Sequence, residues 1–359
     1  MTMATEATET NAIKPRLIAW ELTGACNLRC THCRGSSTEI PDPDELSTTE
    51  AFHLIDEIAD FASPILILSG GEPLMRDDVY EIARYGVDRG LRVVLATNGT
   101  LVTADVAERL KTAGISRISV SIDGADAETH DAFRGVSGAF DGAMSGISEI
   151  LQAGISLQIN TTISKRNIDQ IPKILDLSTD LGSDALHIFL LVPTGRGQEA
   201  DEIPPIEYER ILNWFYDQRD KAGIQLKATC APHYFRIMRE RAKEEGVTIS
   251  VETHGFEAMT KGCLGGTGFC FISRVGGVYP CGYLPVLAGN IREAGFKDIW
   301  DHAKVFTDLR DVSKLKGKCG ICEYKRVCGG CRARAYAATG DYLAEEPYCV
   351  YQPRKAKVQ

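Results

Sequence analysis

The placement of cysteine constrains this 359-residue chain more than any other feature. Twelve cysteines fall into three groups, with Cys230 standing apart: Cys26, Cys30 and Cys33; Cys263, Cys270 and Cys281; and Cys319, Cys322, Cys328, Cys331 and Cys349. Secretion and disulfide pairing would explain so high a count. The first dozen residues, however, are rich in Thr, Ala and Glu and lack the basic start and apolar stretch of a secretory signal. The chain therefore reads as cytoplasmic, where thiols stay reduced and tight Cys spacing points to metal. No apolar run approaches the roughly 20 residues of a membrane span. A formal net charge of −9 argues against a general nucleic-acid binder. With 44% hydrophobic and 25% charged residues, the chain can bury a sizeable core.

Residues 1–13 are expected to be disordered. From 14 to 222, short apolar runs alternate with amphipathic segments. Strands are expected at 16–22, 64–68, 92–96, 115–122, 155–163 and 185–191. Helices are expected at 48–61, with Ser47 as N-cap, and at 77–88, 104–113, 140–152, 171–181 and 206–222. Six strands alternating with helices predict an α/β fold on a parallel sheet with right-handed crossovers, either open and doubly wound or a partial barrel. In both cases ligands gather at the C-terminal ends of the strands. From 223 to 359 periodicity fades and most of the cysteines occur. This second region reads as one held by metal more than by a large apolar core.

Cys26, Cys30 and Cys33 follow the first strand directly, in Thr-Gly-Ala-Cys-Asn-Leu-Arg-Cys-Thr-His-Cys. Soft thiolates suit zinc or iron–sulfur clusters. A structural zinc wants a fourth ligand nearby; His32 is on hand, but adjacency to Cys33 would strain the chelate. Three thiolates on a cubane leave one iron open. The alternative is a helix that merely buries three cysteines on one face.

The spacing C-x3-C-x2-C after a first strand resembles the defining motif of the radical S-adenosylmethionine (AdoMet) superfamily. The resemblance implies a partial (β/α)6 barrel, a catalytic [4Fe–4S] cluster on Cys26, Cys30 and Cys33, and AdoMet on the open iron, cleaved reductively to a 5′-deoxyadenosyl radical. Gly70-Gly71-Glu72-Pro73 looks like the family's AdoMet amino-group motif. Asn98, Ser121, Asp123 and Arg134, at or after the third and fourth strands, are the further AdoMet contacts it implies, Arg134 pairing with the carboxylate.

The downstream cysteines, C-x12-G-x4-C and then C-x2-C-x5-C-x2-C and Cys349, resemble the SPASM extension, departing only in having two residues, Gly329 and Gly330, where three are usual. By resemblance one auxiliary [4Fe–4S] cluster would be held by Cys263, Cys270, Cys281 and Cys331, and another by Cys319, Cys322, Cys328 and Cys349. Zinc on Cys319–Cys331 is the competing reading.

Within this branch, the stretches at 227–233, 262–271, 280–285 and 328–334 resemble the AdoMet-dependent haem synthases of the alternative, sirohaem-based pathway. That implies oxidative decarboxylation of two propionates of Fe-coproporphyrin III to vinyl groups, a low-potential donor such as flavodoxin or ferredoxin, and an unidentified electron acceptor. Cys230 and His233 are candidates to meet the porphyrin iron; Arg196, Arg274, Arg332 and Arg334 are candidates for its carboxylates. Competing readings are another tetrapyrrole-modifying enzyme (a didecarboxysirohaem deacetylase or a haem d1 type), a SPASM peptide maturase, for whose N-terminal peptide-binding domain a barrel starting near residue 16 leaves no room, and a non-catalytic iron–sulfur carrier, which would need no AdoMet site.

Overall fold

Seven parallel strands, each followed by helix or loop, order the first two-thirds of the chain. They are β1 (Leu17–Glu21), β2 (Ile65–Ser69), β3 (Arg92–Thr97), β4 (Arg117–Ser121), β5 (Ser156–Ile163), β6 (Ala185–Leu190) and β7 (Gln225–Thr229). Neighbours in sequence are neighbours in the sheet. The connecting helices are α1 (Thr48–Phe61), α2 (Val79–Asp88), α3 (Ala104–Thr112), α4 (Ala127–Arg134), α5 (Ala139–Gln152), α6 (Ile171–Asp180) and α7 (Pro205–Gln218); α8 (His233–Glu244) follows β7. The structure is a computed structural model that describes residues 13–198 and 201–354. The expected disorder at the N-terminus falls almost wholly on residues 1–12, outside the described residues.

Local sequence explains these elements. Ser47 caps α1 as expected: its hydroxyl accepts from Glu50 N, and Glu50 returns a bond to Ser47 N at 2.8 Å, the reciprocal capping box. Alternate strand residues Ile18 and Trp20, Leu66 and Leu68, Val93 and Leu95, and Ile118 and Val120 are almost wholly buried. They form one core with helix residues such as Leu54, Ile58, Ile82, Leu110 and Ile147. Each such side chain contributes about 1.5–3 kcal/mol over leaving it exposed.

The sheet is strongly curved. On a flat sheet β1 and β6 would lie about 24 Å apart at ~4.8 Å per strand. Yet Arg196 N, just past β6, donates to Cys33 O, in the loop after β1, at 2.9 Å. The strand ends therefore surround a common mouth.

Residues beyond 222 extend this sheet at both edges. β7 closes one side. On the other, β8 (Phe269–Ile272) pairs parallel with β1, followed by β9 (Gly277–Tyr279) and β10 (Gly289–Asn290), both antiparallel, giving ten strands in one sheet. The sequence reading had six strands and no regular element after 222. β8–β10 are only two to four residues long, too short for a period to register. α8 is a full helix that reading passed over, because its buried face carries His233, Tyr234 and Arg236 among its apolar residues. α4 was passed over too: it spans two turns, starts at Asp126, whose carboxylate accepts from Thr129 N, and stops at Gly135.

Candidate functional site

The first three cysteines lie in a loop without a helical turn between residues 24 and 38, so the helical alternative does not hold. Backbone hydrogen bonds from three neighbours pin the loop. Gly71 N donates to Thr23 O and Glu72 N to Ala25 O, each at 2.7 Å. Arg29 N and Thr31 N donate to Arg134 O and Phe133 O at the end of α4, each at 3.0 Å. Arg196 N reaches it from β6. At Gly71 a Cβ would stand 2.2 Å from Ala25 O, so only glycine lets the second strand end approach the cysteine loop this closely. Cys26 and Cys30 are buried and Cys33 partly so. Burial pushes the Cys26 thiol up to about 11, with Glu72, Cys30 and Cys33 adding to it, so these three groups lie close enough to Cys26 to act on it.

Around the loop stands a ring of buried polar groups from successive strand ends. Glu72 is fully buried; Oε1 accepts from the Thr97 hydroxyl at 2.8 Å and Leu74 N at 3.1 Å, and Oε2 from Asn98 N at 2.8 Å. Burial outweighs these bonds and raises its carboxyl to about 7. Asn98 Nδ2 donates to Asn27 Oδ1 at 2.8 Å, beside Cys26. Pro73 opens a short 3₁₀ turn that Glu72 caps. Ser121 ends β4 half-buried.

Asp123, fully buried, accepts from Thr162 N at 2.7 Å and pairs with Arg134 at 2.5 Å. Burial raises the Asp123 carboxyl against the pull of Arg134. Burial also works against the Arg134 charge, but Asp123 and the Cys30 thiol outweigh it and hold its pKa above the ordinary value. Arg134 NH1 lies 3.7 Å from Cys30 Sγ. A buried pair of this kind is held by its surroundings; losing one partner costs about 3–5 kcal/mol.

Three buried nitrogens at this loop have no hydrogen-bond partner among the described residues: Arg134 Nε, Arg196 NH2 and His32 Nδ1. Leaving such groups unmet costs about 1–3 kcal/mol each. His32 packs against Phe133 with ring centroids 4.4 Å apart and planes tilted by 58°, and burial, with Arg134 and Arg196 nearby, drives its pKa well below the usual value. Two guanidinium donors and a neutral imidazole suit the carboxylate and ammonium of an α-amino acid. These residues therefore fit AdoMet beside three thiols that fit a cluster with one open iron.

The later cysteines sort into two sets. Cys319, Cys322, Cys328 and Cys349 line one cavity, together with His233 and Arg236. Cys319 adds to the rise in the thiol pKa of each of the other three. Four thiols around one cavity fit a [4Fe–4S] cube. Gly329 and Gly330 both take the left-handed conformation, with φ of 74° and 66°. This double reversal separates Cys328 from Cys331, which caps the helix Arg332–Thr339 and interacts with Cys263 and Cys281 instead. The shortened spacing thus serves two sites and runs against one zinc on Cys319–Cys331. Cys270 lies in β8, wholly buried in the apolar core.

The candidate substrate arginines are bonded within the protein. Arg274 pairs with Glu21 at 3.0 Å and Asp42 at 3.2 Å. Arg196 Nε and NH1 hold Cys30 O at 3.0 Å and Ser37 O at 2.8 Å. Arg332 donates to Gly330, Tyr342 and Ala344 carbonyls. Arg334 joins Glu202 and Glu346 and donates to Leu191 O and Cys230 O. Cys230 and His233 do not converge: Cys230 interacts with Cys281, Cys331 and Cys263, whereas His233 faces Glu346 and the other cavity. Sequence reasoning passed over Glu21, Glu202 and Glu346, the buried carboxylates that organise these arginines. Glu21 carried a signal: it is the one charge in an otherwise apolar strand.

Comparison with known proteins agrees with this geometry. Residues 20–178 match the family described as Radical SAM superfamily. Residues 263–332 match the one described as Iron-sulfur cluster-binding domain, SPASM. The chain is 67% identical over 346 residues to an AdoMet-dependent heme synthase of Methanosarcina barkeri (strain Fusaro / DSM 804), covering 96% of this chain and 99% of that one. The Fe-coproporphyrin III synthase of the same organism is 34% identical over 362 residues, covering 94% and 88%. Streptococcus suis SuiB bound to S-adenosylmethionine shares the fold, with a TM-score of 0.74 at 17% identity, covering 94% of this chain and 78% of SuiB.

Proposed function

The chain belongs to the radical SAM superfamily and, within it, to the family of AdoMet-dependent haem synthases, and from that premise we propose that it converts two propionates of Fe-coproporphyrin III to vinyl groups, giving haem b. The observation that carries this reading is the 67% identity to a haem synthase along nearly the whole of both chains. Half that identity separates it from the Fe-coproporphyrin III synthase of the same organism.

In this reading Cys26, Cys30 and Cys33 hold the catalytic cluster, and Arg134, Arg196 and His32 receive the amino-acid end of AdoMet. Bound there, cluster and AdoMet supply a 5′-deoxyadenosyl radical. The protein's part is positional. Glu72 ties the ends of β2 and β3 beneath the loop, and Asn98 fixes Asn27 next to Cys26. Asp123 orients Arg134 with its Nε left for a carboxylate. Each propionate must lose one β-hydrogen atom, one carbon dioxide and one electron to become a vinyl. The cysteines of the extension would hold clusters that, when bound, would supply an acceptor for that electron. A low-potential donor of flavodoxin or ferredoxin type starts the cycle. Among the described residues no helix is long and apolar enough to cross a membrane.

The test is anaerobic reconstitution followed by AdoMet, dithionite and Fe-coproporphyrin III. The porphyrin mass should fall by two successive losses of carbon dioxide and two hydrogens. AdoMet cleavage with an unchanged porphyrin would overturn the substrate.

A further inference from the structure

We infer that Cys230, rather than Cys270, completes with Cys263, Cys281 and Cys331 the four-thiolate set of the first auxiliary cluster. The inference rests on the reading that the extension carries auxiliary clusters, and it changes the role expected of both cysteines.

Strand pleating decides against Cys270. In the parallel pairing of β1 with β8, Ile18 stands opposite Cys270 and Ala19 opposite Phe271. Paired residues share a face and successive residues alternate. One face is marked by Glu21 and Phe271: Arg34 pairs with Glu21 at 2.7 Å, lies over the Phe271 ring at 4.3 Å, and reaches Gly282 O, next to Cys281, at 3.5 Å. Cys281 therefore belongs to the Phe271 face. Cys270 belongs to the opposite one, wholly buried with Ile18 and Trp20 in the apolar core.

Cys230 has the opposite surroundings. It follows β7, at the far edge of the sheet, where curvature brings it to the extension. A Cβ at Gly262 would lie 2.6 Å from Pro232 Cβ, so the segment leading into Cys263 packs directly on the turn that carries Cys230. Cys263 N in turn donates to Cys328 O at 3.2 Å. Cys281, Cys331 and Cys263 all act on the Cys230 thiol, and Tyr283 feels both Cys230 and Cys281. Cys230 also takes a left-handed backbone conformation, φ 56°, which L side chains rarely adopt. Arg334 NH2 donates to its carbonyl at 3.4 Å, from a buried guanidinium anchored by Glu202 and Glu346. Strain of about 1–3 kcal/mol persists where surrounding structure over-determines it, and such residues cluster at functional sites. A ligand closing a cluster across the two ends of the sheet is one such site.

The experiment compares the wild type with Cys230→Gly and Cys270→Ala after anaerobic reconstitution, reading iron and sulfide per chain and the EPR spectrum of the reduced protein without substrate. Glycine suits the left-handed backbone, and alanine suits the apolar site of Cys270, so neither change should block folding. Unchanged circular dichroism and an intact catalytic-cluster signal check this. Cys230→Gly should lose one cluster's iron and one auxiliary EPR signal, or show a signal converted to the three-iron type; Cys270→Ala should keep the wild-type count and spectrum. Wild-type iron and spectrum in Cys230→Gly, or loss of a cluster in Cys270→Ala, would overturn the inference. A wild type that itself holds the catalytic cluster alone would instead overturn the auxiliary-cluster reading beneath it.

Discussion

The two cysteine-bearing regions of this molecule are built on opposite plans. Cys26, Cys30 and Cys33 sit within one short loop, and the barrel closes around it: backbone bonds from β2, α4 and β6 meet a segment whose spacing already brings the thiols together. The extension inverts this. The thiols of its first set come from the turn after β7, the segment before β8, the stretch after β9 and the Gly329-Gly330 reversal, and only the tertiary fold groups them. The first site is local chemistry supported by a scaffold. The others are part of the scaffold, joining the two ends of an open sheet. Metal and fold should therefore be nearly independent at the first site and coupled at the others.

The sharpest break of that comparison is Cys30→Ala. It should abolish the catalytic cluster and lower AdoMet cleavage by at least about 10³-fold, while both auxiliary EPR signals and the far-UV spectrum stay as in the wild type. Loss of every cluster at once would show that the loop and the extension form one unit. Next is Cys349→Ala, in the cavity of Cys319, Cys322 and Cys328. It should remove one auxiliary cluster and haem b formation yet keep AdoMet cleavage within about tenfold of normal, as expected of distant sites, and it should lower the melting temperature more than Cys30→Ala does.

Within the barrel, Arg134→Lys keeps the charge but not the planar fork that meets Asp123 and leaves Nε free. Affinity for AdoMet should fall about 10-fold or more, the worth of one charge-assisted hydrogen bond, measured by equilibrium binding to the reconstituted protein.

The smallest effect belongs to the extension's own ion network. Asp308 is buried and takes bonds from Lys304 at 2.5 Å, Lys314 at 2.7 Å and Tyr342 at 2.7 Å. Burial raises its carboxyl, but these donors outweigh it and hold the pKa well below the usual range. A depressed folded-state pKa stabilises above the unfolded value, near 3.9, and that stability fades as pH falls below it. Asp308→Asn should cost about 1–3 kcal/mol at neutral pH and flatten the acid limb of the stability curve.

What the sequence disclosed follows the same division. The strands β1–β6 and most of the helices were legible because apolar periodicity and caps such as Ser47 are local. The triplet and Gly70-Gly71-Glu72-Pro73 were legible because their spacing is the site. The short strands β8–β10 were not, and without them neither was the face on which Cys270 stands, since a residue's side of a sheet is defined only once its pairing is known. The arginines misled for a related reason. Arg274 and Arg334 look free in sequence, and their partners Glu21 and Glu202 are far along the chain.

The most direct test is isotopic. Fe-coproporphyrin III deuterated at the propionate β-carbons, incubated with AdoMet, dithionite and the reconstituted protein, should yield 5′-deoxyadenosine carrying deuterium together with haem b that has lost one deuterium from each of the two β-carbons that become vinyl carbons. Deuterium-free 5′-deoxyadenosine formed alongside a decarboxylated porphyrin would contradict a radical reaction at the propionate β-carbon.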